Sequence, residues 1–141
     1  MKKRYLIPGD YMADPSVHVF EGKVYIYPSH DWESGIPEDD WGAHFDMRDY
    51  HVFSLEDVME GDVTDHGMVL DKTDVPWVKR QMWDCDCCEK DGKYYLYFAH
   101  HNGKSIRMAY ADSPAGPFTV YEPGALQLED VERPGGFFGH I

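Results

Sequence analysis

Cysteine is scarce in this chain: three residues, Cys85, Cys87 and Cys88, crowded into four positions. An odd number at that spacing excludes a disulfide framework, and Cys-x-Cys-Cys lacks the paired spacing of a zinc site. The thiols are therefore read as reduced side chains packed in or beside a buried strand. Basic side chains are also few. Thirteen Lys and Arg against 26 Asp and Glu leave a net charge of −13 and a pI near 4.8, a surface that repels phosphate backbones and anionic membranes. Nucleic acid and membranes are set aside as partners. No stretch approaches the ~18 apolar residues of a membrane span. The amino terminus from Met1 to Asp10 carries basic residues but no apolar run of the roughly 7–15 residues a signal peptide requires, so a cytoplasmic location is the expectation.

What the chain does have is a hairpin, written twice. Tyr11 to Asp31 contains two strand-like runs, rich in Val17, Val19, Val24, Tyr25, Ile26 and Tyr27, joined at Glu21-Gly22-Lys23. β-branched and aromatic residues fit a pleated, half-buried surface, and Gly22 permits the positive φ of a hairpin turn. Sliding the chain on itself by 70 residues, from Gly22 to Gly92, aligns Asp14 with Asp84, Lys23 with Lys93, Tyr25 with Tyr95, Tyr27 with Tyr97 and His30 with His100. After each hairpin comes another strand-like run, Tyr50 to Ser54 and Ile106 to Tyr110, then a polar loop and a short run ending in Leu70 or Leu126. A repeated four-stranded unit is what a β-propeller blade looks like in sequence. The expected fold is all-β: two four-stranded antiparallel blades, 1–75 and 76–141, the second including the start of a connection onward.

Propellers close with roughly four to eight blades, so two blades leave open sheet edges. Either further blades belong to a longer chain or copies associate to complete the ring. Neutral ligands such as sugars suit an acidic surface, and tyrosine and tryptophan offer flat apolar faces to sugar rings, although most aromatics in an all-β protein are core. Residues 32–49 form a long polar insertion holding Trp32, Trp41, His44 and Phe45. Loops of that length tend to be functional or disordered, and the aromatics favour an ordered loop covering something. Leu55 to Glu60 suggests a single helical turn, Asp65-His66-Gly67 a turn before the last strand, and Asp71 to Arg80 a connection. For His66, a turn role is favoured over a metal.

Several short motifs, in this order, resemble glycoside hydrolase family 43. They are Ala13-Asp14-Pro15-Ser16-Val17 followed by Gly22-Lys23-Val24-Tyr25; Asp65-His66-Gly67; Trp83-x-x-Asp86 followed by Asp91-Gly92-Lys93-Tyr94-Tyr95-Leu96-Tyr97; and Asp112-Ser113-Pro114-Ala115-Gly116-Pro117-Phe118. The resemblance implies a five-bladed propeller that hydrolyses arabinofuranosyl or xylosyl linkages with inversion. It implies Asp14 as general base and Asp86 as the carboxylate that tunes the acid. It also implies a general-acid Glu on a later blade, which no residue here matches, so the chain alone is expected to be inactive. No cofactor is required, while the family leaves room for a calcium ion in the channel, with His18, His30 and His100 as the nearby histidines.

Inverting hydrolysis needs one ionised carboxylate to deprotonate a water and one protonated carboxyl to protonate the leaving oxygen, roughly 6.5–9.5 Å apart. Pro15 withdraws an amide from the ladder and suits an inner edge. Where the family commonly has Ala-Pro after the tryptophan, this chain has Asp84-Cys85, so Asp84 competes with Asp86 for the inward role. Period-2 alternation sets both on one face. His30, Asp31 and Trp32 are placed near the sugar, and Trp83 either stacks on it or belongs to the core. The other class of reading is a non-catalytic module that binds glycans or self-associates through its open edges.

Overall fold

The structure is a computed structural model that describes residues 3–76, 78–100, 105–121 and 126–127. Two antiparallel sheets follow one another along the chain. The first comprises β1 (Met12–Phe20), β2 (Lys23–Asp31), β3 (Met47–Leu55) and β4 (Thr64–Asp71), hydrogen-bonded in that order. The second comprises β5 (Met82–Lys90), β6 (Lys93–His100), β7 (Ser105–Ala111) and β8 (Thr119–Val120), with β9 (Leu126–Gln127) also on β7. The sheets are the two expected blades. In the second, the fourth position is taken by two short segments paired to different parts of β7, where the sequence suggested one run ending in Leu126.

Both hairpins turn on consecutive left-handed residues: Glu21 and Gly22 at φ 51° and 76°, Asp91 and Gly92 at φ 54° and 77°. Two adjacent positive φ values give the primed turn whose twist matches that of the flanking strands. A Cβ added at Gly22 meets nothing within 4 Å, so Gly22→Ala is expected to cost about 1 kcal/mol through backbone conformation alone, read as a lower urea midpoint.

No helix forms over Leu55 to Glu60. Asp57 instead closes a turn, its Oδ1 accepting from the Met59 amide at 2.7 Å and its carbonyl from the Gly61 amide at 2.8 Å. Asp65-His66-Gly67 lies inside β4 as an irregularity in the ladder, not as a turn before it. Gly67 takes φ 75°, its amide donates to Asp65 Oδ1 at 2.7 Å, and His66 Nε2 meets the Ser54 hydroxyl at 2.7 Å. The connection from Asp71 carries a 3-10 turn, Lys72–Asp74, capped by Asp71.

The main core lies between the blades. Tyr25, Tyr27, Tyr50, Val52 and Leu70 from the first sheet pack against Cys85, Cys87, Leu96, Phe98 and Phe118 from the second. Polar atoms within it are matched: the Tyr27 hydroxyl donates to the Pro114 carbonyl at 2.7 Å, the Tyr50 hydroxyl to the Trp83 carbonyl, and the Phe118 amide to the Val69 carbonyl at 2.9 Å. Burial raises the Cys85 thiol and pushes that of Cys87 up to about 12, so both pack as small apolar groups. A smaller cluster of Ile26, Phe53 and Leu55 covers the opposite face of the first sheet, with Leu6, Ile7 and Met12 against it.

Candidate active site

Asp14 and Asp84 occupy equivalent places on the first strands of their blades. Each strand carries a ladder irregularity there: β1 between Ala13 and Ser16, β5 between Trp83 and Cys85. A bulge leaves a residue out of the pairing and re-aims its side chain. Asp14 sits at φ 49°, a left-handed backbone that a side chain adopts at a cost and that concentrates at functional sites. β1 and β5 pack side by side, so the two displaced residues converge. The neighbouring Asp84 carboxyl first, then partial burial and repulsion from the Asp84 charge, hold Asp14 above the ordinary carboxylate value.

Asp86 lies elsewhere along β5. Its Oδ1 is 2.6 Å from His18 Nε2, and the His18 ring stacks on Phe20 at 5.5 Å. Alternation does leave Asp84 and Asp86 both exposed while Cys85 and Cys87 are buried. The carboxyl that reaches Asp14 is nevertheless that of Asp84, because the bulge brings this residue forward.

Over Asp14 stands the long loop after β2. Its own backbone orders it: the Trp32 amide donates to the Asp46 carbonyl at 3.1 Å, and the Trp41 and Ala43 amides donate to Asp39 Oδ1 at 3.0 and 2.9 Å. Gln81, buried beneath, donates to the Gly42 carbonyl at 3.1 Å and to that of Phe45. The loop thereby roofs a cavity of about 450 Å³ lined by Ala13, Asp14, Asp40, Trp41, Phe45 and Trp83 among others. Trp41, 91% exposed, is the largest apolar surface on it. Of the residues lining this cavity, the sequence singles out Asp14 and Trp83, whereas Asp40 and Trp41 carry no signal beyond membership of an aromatic-rich insertion.

His30, Asp31 and Trp32 do not line that cavity. Asp31 and Trp32 border a neighbouring hollow of about 330 Å³ with Tyr11, Ile36, His44 and Phe45. Asp31 Oδ1 accepts the Asp46 amide at 2.7 Å, closing the base of the loop. His30 is buried on the far face of the first blade, Nδ1 at 2.8 Å from Asp49 Oδ1 and Nε2 at 3.1 Å from Asp10 Oδ1. For Asp10, burial pushes the carboxyl up, but the Tyr11 amide and the His30 contact outweigh it and hold the group below its usual value. The His100 side chain lies outside the described residues.

No protein-family model matches the chain. A xylosidase/arabinosidase of Bacteroides ovatus is 62% identical over 120 residues, 83% of this chain and 37% of that protein. The solved RS223 β-xylosidase superposes with a TM-score of 0.79 at 59% identity, covering 85% of this chain and 38% of that one. A family 43 β-xylosidase/α-arabinofuranosidase from a compost microbial metagenome, in complex with xylotriose and in a calcium-free form, gives 0.77 at 55% identity, covering 84% and 36%. In sequence and in fold the chain belongs to glycoside hydrolase family 43, and it spans little more than a third of the length of these relatives.

Proposed function

We propose that this chain supplies the first two blades and the general base of an inverting glycosidase acting on xylosyl or arabinofuranosyl linkages. The observation that carries the reading is Asp14: a carboxylate on a left-handed backbone, paired with a second carboxyl, under an aromatic-roofed cavity. Ionised Asp14 takes a proton from a water and directs it at the anomeric carbon, opposite the leaving oxygen. The resemblance casts Asp86 as the tuning carboxylate; on this geometry Asp84 acts on Asp14 directly, while Asp86 fixes His18 at the next step down the strand. Trp41 and Trp83 offer the flat faces on which a sugar ring stacks. The general acid comes from blades beyond those described.

No cofactor carries a chemical step in this reading. A calcium ion in the channel would want six to eight oxygen ligands, and the exposed carboxylates of Asp14, Asp84 and Asp86 are what this chain's first strands offer it. The partners are an oligosaccharide and the remaining blades.

The test is the pH dependence of kcat/KM on aryl β-xylosides and α-arabinofuranosides, for this chain joined to the remaining blades, with Asp84 and with Asp84→Asn. The base must be ionised, so its pKa sets the acidic limb of the profile. Removing Asp84 removes the neighbouring carboxyl and the repulsion that raise Asp14, and the acidic limb is expected to move to lower pH. No hydrolysis by the joined protein would sink the glycosidase reading. An acidic limb that stays in place would remove Asp84 from it.

A further inference from the structure

On the far side of the first blade, β2 and β3 bring two imidazoles around one buried carboxylate. His30, Asp49 and His51 expose 8%, 2% and 15% of their side chains, and one ligand atom from each lies within 4.8 Å of the others. His30 Nδ1 is 2.8 Å from Asp49 Oδ1, and His51 Nε2 is 3.3 Å from Asp49 Oδ2. The outer nitrogen of each ring faces a further carboxylate: His30 Nε2 is 3.1 Å from Asp10 Oδ1, and His51 Nδ1 is 3.9 Å from Asp65 Oδ1. Trp32 Nε1 donates to Asp49 Oδ1 at 3.0 Å and fixes the central carboxylate.

With neutral rings, hydrogen bonds leave this group unmatched. His51 Nδ1 is buried and has no hydrogen-bond partner among the described residues. If neutral His51 carries its proton on Nε2, that buried lone pair goes unused. If the proton sits on Nδ1, a bare Nε2 lone pair faces the lone pairs of Asp49 Oδ2 at 3.3 Å, which is repulsive unless a cation stands between them. Asp49, 2% exposed, is a buried carboxylate that two neutral imidazoles do not offset, whereas Asp10 and Asp65 are open to solvent.

We propose that His30 Nδ1, the Asp49 carboxylate and His51 Nε2 form a binding site for a borderline divalent transition metal, with zinc as the reference ion. Two imidazoles and a carboxylate suit such ions, whereas calcium prefers an all-oxygen shell. A water takes the fourth position. The metal replaces the protons that otherwise lie between Asp49 and the two rings. His30 then keeps its Nε2–H for Asp10 at 3.1 Å, a carboxylate that orients the metal-bound ring, while the His51 Nδ1–H points toward the Asp65 carboxylate at 3.9 Å, an electrostatic contact and not a hydrogen bond. The site ties Asp10, ahead of β1, to the ends of β2 and β3 and to Trp32 at the base of the loop. It is separate from the chemistry at Asp14 and stands or falls independently of it.

The experiment uses the untagged 141-residue chain, stripped with EDTA and dialysed, then titrated with Zn2+ by calorimetry and with Co2+ by visible absorption. One equivalent of Zn2+ and a Co2+ d–d band displaced by Zn2+ are expected. His51→Gln, at the more exposed rim, is expected to lower Zn2+ affinity by about 100-fold or more, and Asp65→Asn by roughly 10-fold. His18→Gln is expected to leave binding unchanged. Far-UV circular dichroism checks that each variant keeps its sheets, and the wild-type Co2+ band needs no variant. Zinc at no more than the blank level in the wild-type chain, or equal affinity in a folded His51→Gln, would overturn the assignment.

Discussion

Asp14→Asn, in this chain joined to its remaining blades, is expected to lower kcat on aryl xylosides by roughly 10²–10⁴-fold, the usual contribution of a positioned base. The amide is close in size to the carboxyl and cannot accept the water's proton. KM should change far less, because the cavity walls, Trp41 and Trp83 among them, are untouched. A variant that keeps a tenth or more of wild-type kcat would show that the base is another group.

Asp14→Gly separates chemistry from stability. It removes the carboxyl and with it the proposed base, yet it also relieves a φ of 49°, for a gain of about 1 kcal/mol. The raised carboxyl adds a pH signature. A carboxyl whose folded pKa lies above its unfolded one contributes stability that is fully present below the unfolded pKa and is lost as pH rises through the folded pKa. Wild-type stability should therefore carry a downward component with rising pH just above the ordinary carboxylate value. Asp14→Gly should lack it. A protein made more stable and inactive by one substitution is the expected mark of a strained catalytic position.

The blades were legible because the turns are local chemistry. Glu21-Gly22 and Asp91-Gly92 dictate primed hairpins, and the valines and tyrosines beside them dictate pleated strands. The irregular strand position of Asp14 is legible because Pro15 marks such an edge and the repeat ties Asp14 to Asp84. Choosing between Asp84 and Asp86 was beyond sequence. Alternation puts both on one face, and only the bulge at Trp83 to Cys85, a tertiary fit between neighbouring blades, decides which meets Asp14. His30, Asp31 and Trp32 looked like site residues because they follow the hairpin toward its mouth. Alternation instead sends His30 to the far face, and Asp31 is taken up in closing the loop. Trp41 was hidden in a segment with no periodicity, where only the loop's internal bonds to Asp39 and Gln81 show what it covers.

The largest stability loss is expected from Phe98→Ala. Phe98 lies on β6 facing the first blade, is 1% exposed, and its ring centroid is 5.7 Å from that of Tyr50 on β3. Truncation removes its transfer free energy and leaves a cavity between two sheets that cannot easily collapse. The backbone there is pinned by the paired ladder with β5 on one side and β7 on the other. A loss of about 3–5 kcal/mol is expected, a large share of the 5–15 kcal/mol typical of a whole domain. Urea unfolding followed by tyrosine and tryptophan fluorescence checks it. Phe98→Leu, which keeps most of the volume, should lose clearly less. Phe53→Ala provides the spatial control, since Phe53 packs with Ile26 and Leu55 on the opposite face of the first sheet and its loss leaves the inter-blade contact intact. If the two sheets share one core, Phe98→Ala shifts the unfolding of both together, seen as a single transition at lower urea. A loss under 1 kcal/mol, or a transition that moves for one sheet only, would mean that each blade holds its own core and that Asp14 and Asp84 are brought together by strand edges alone.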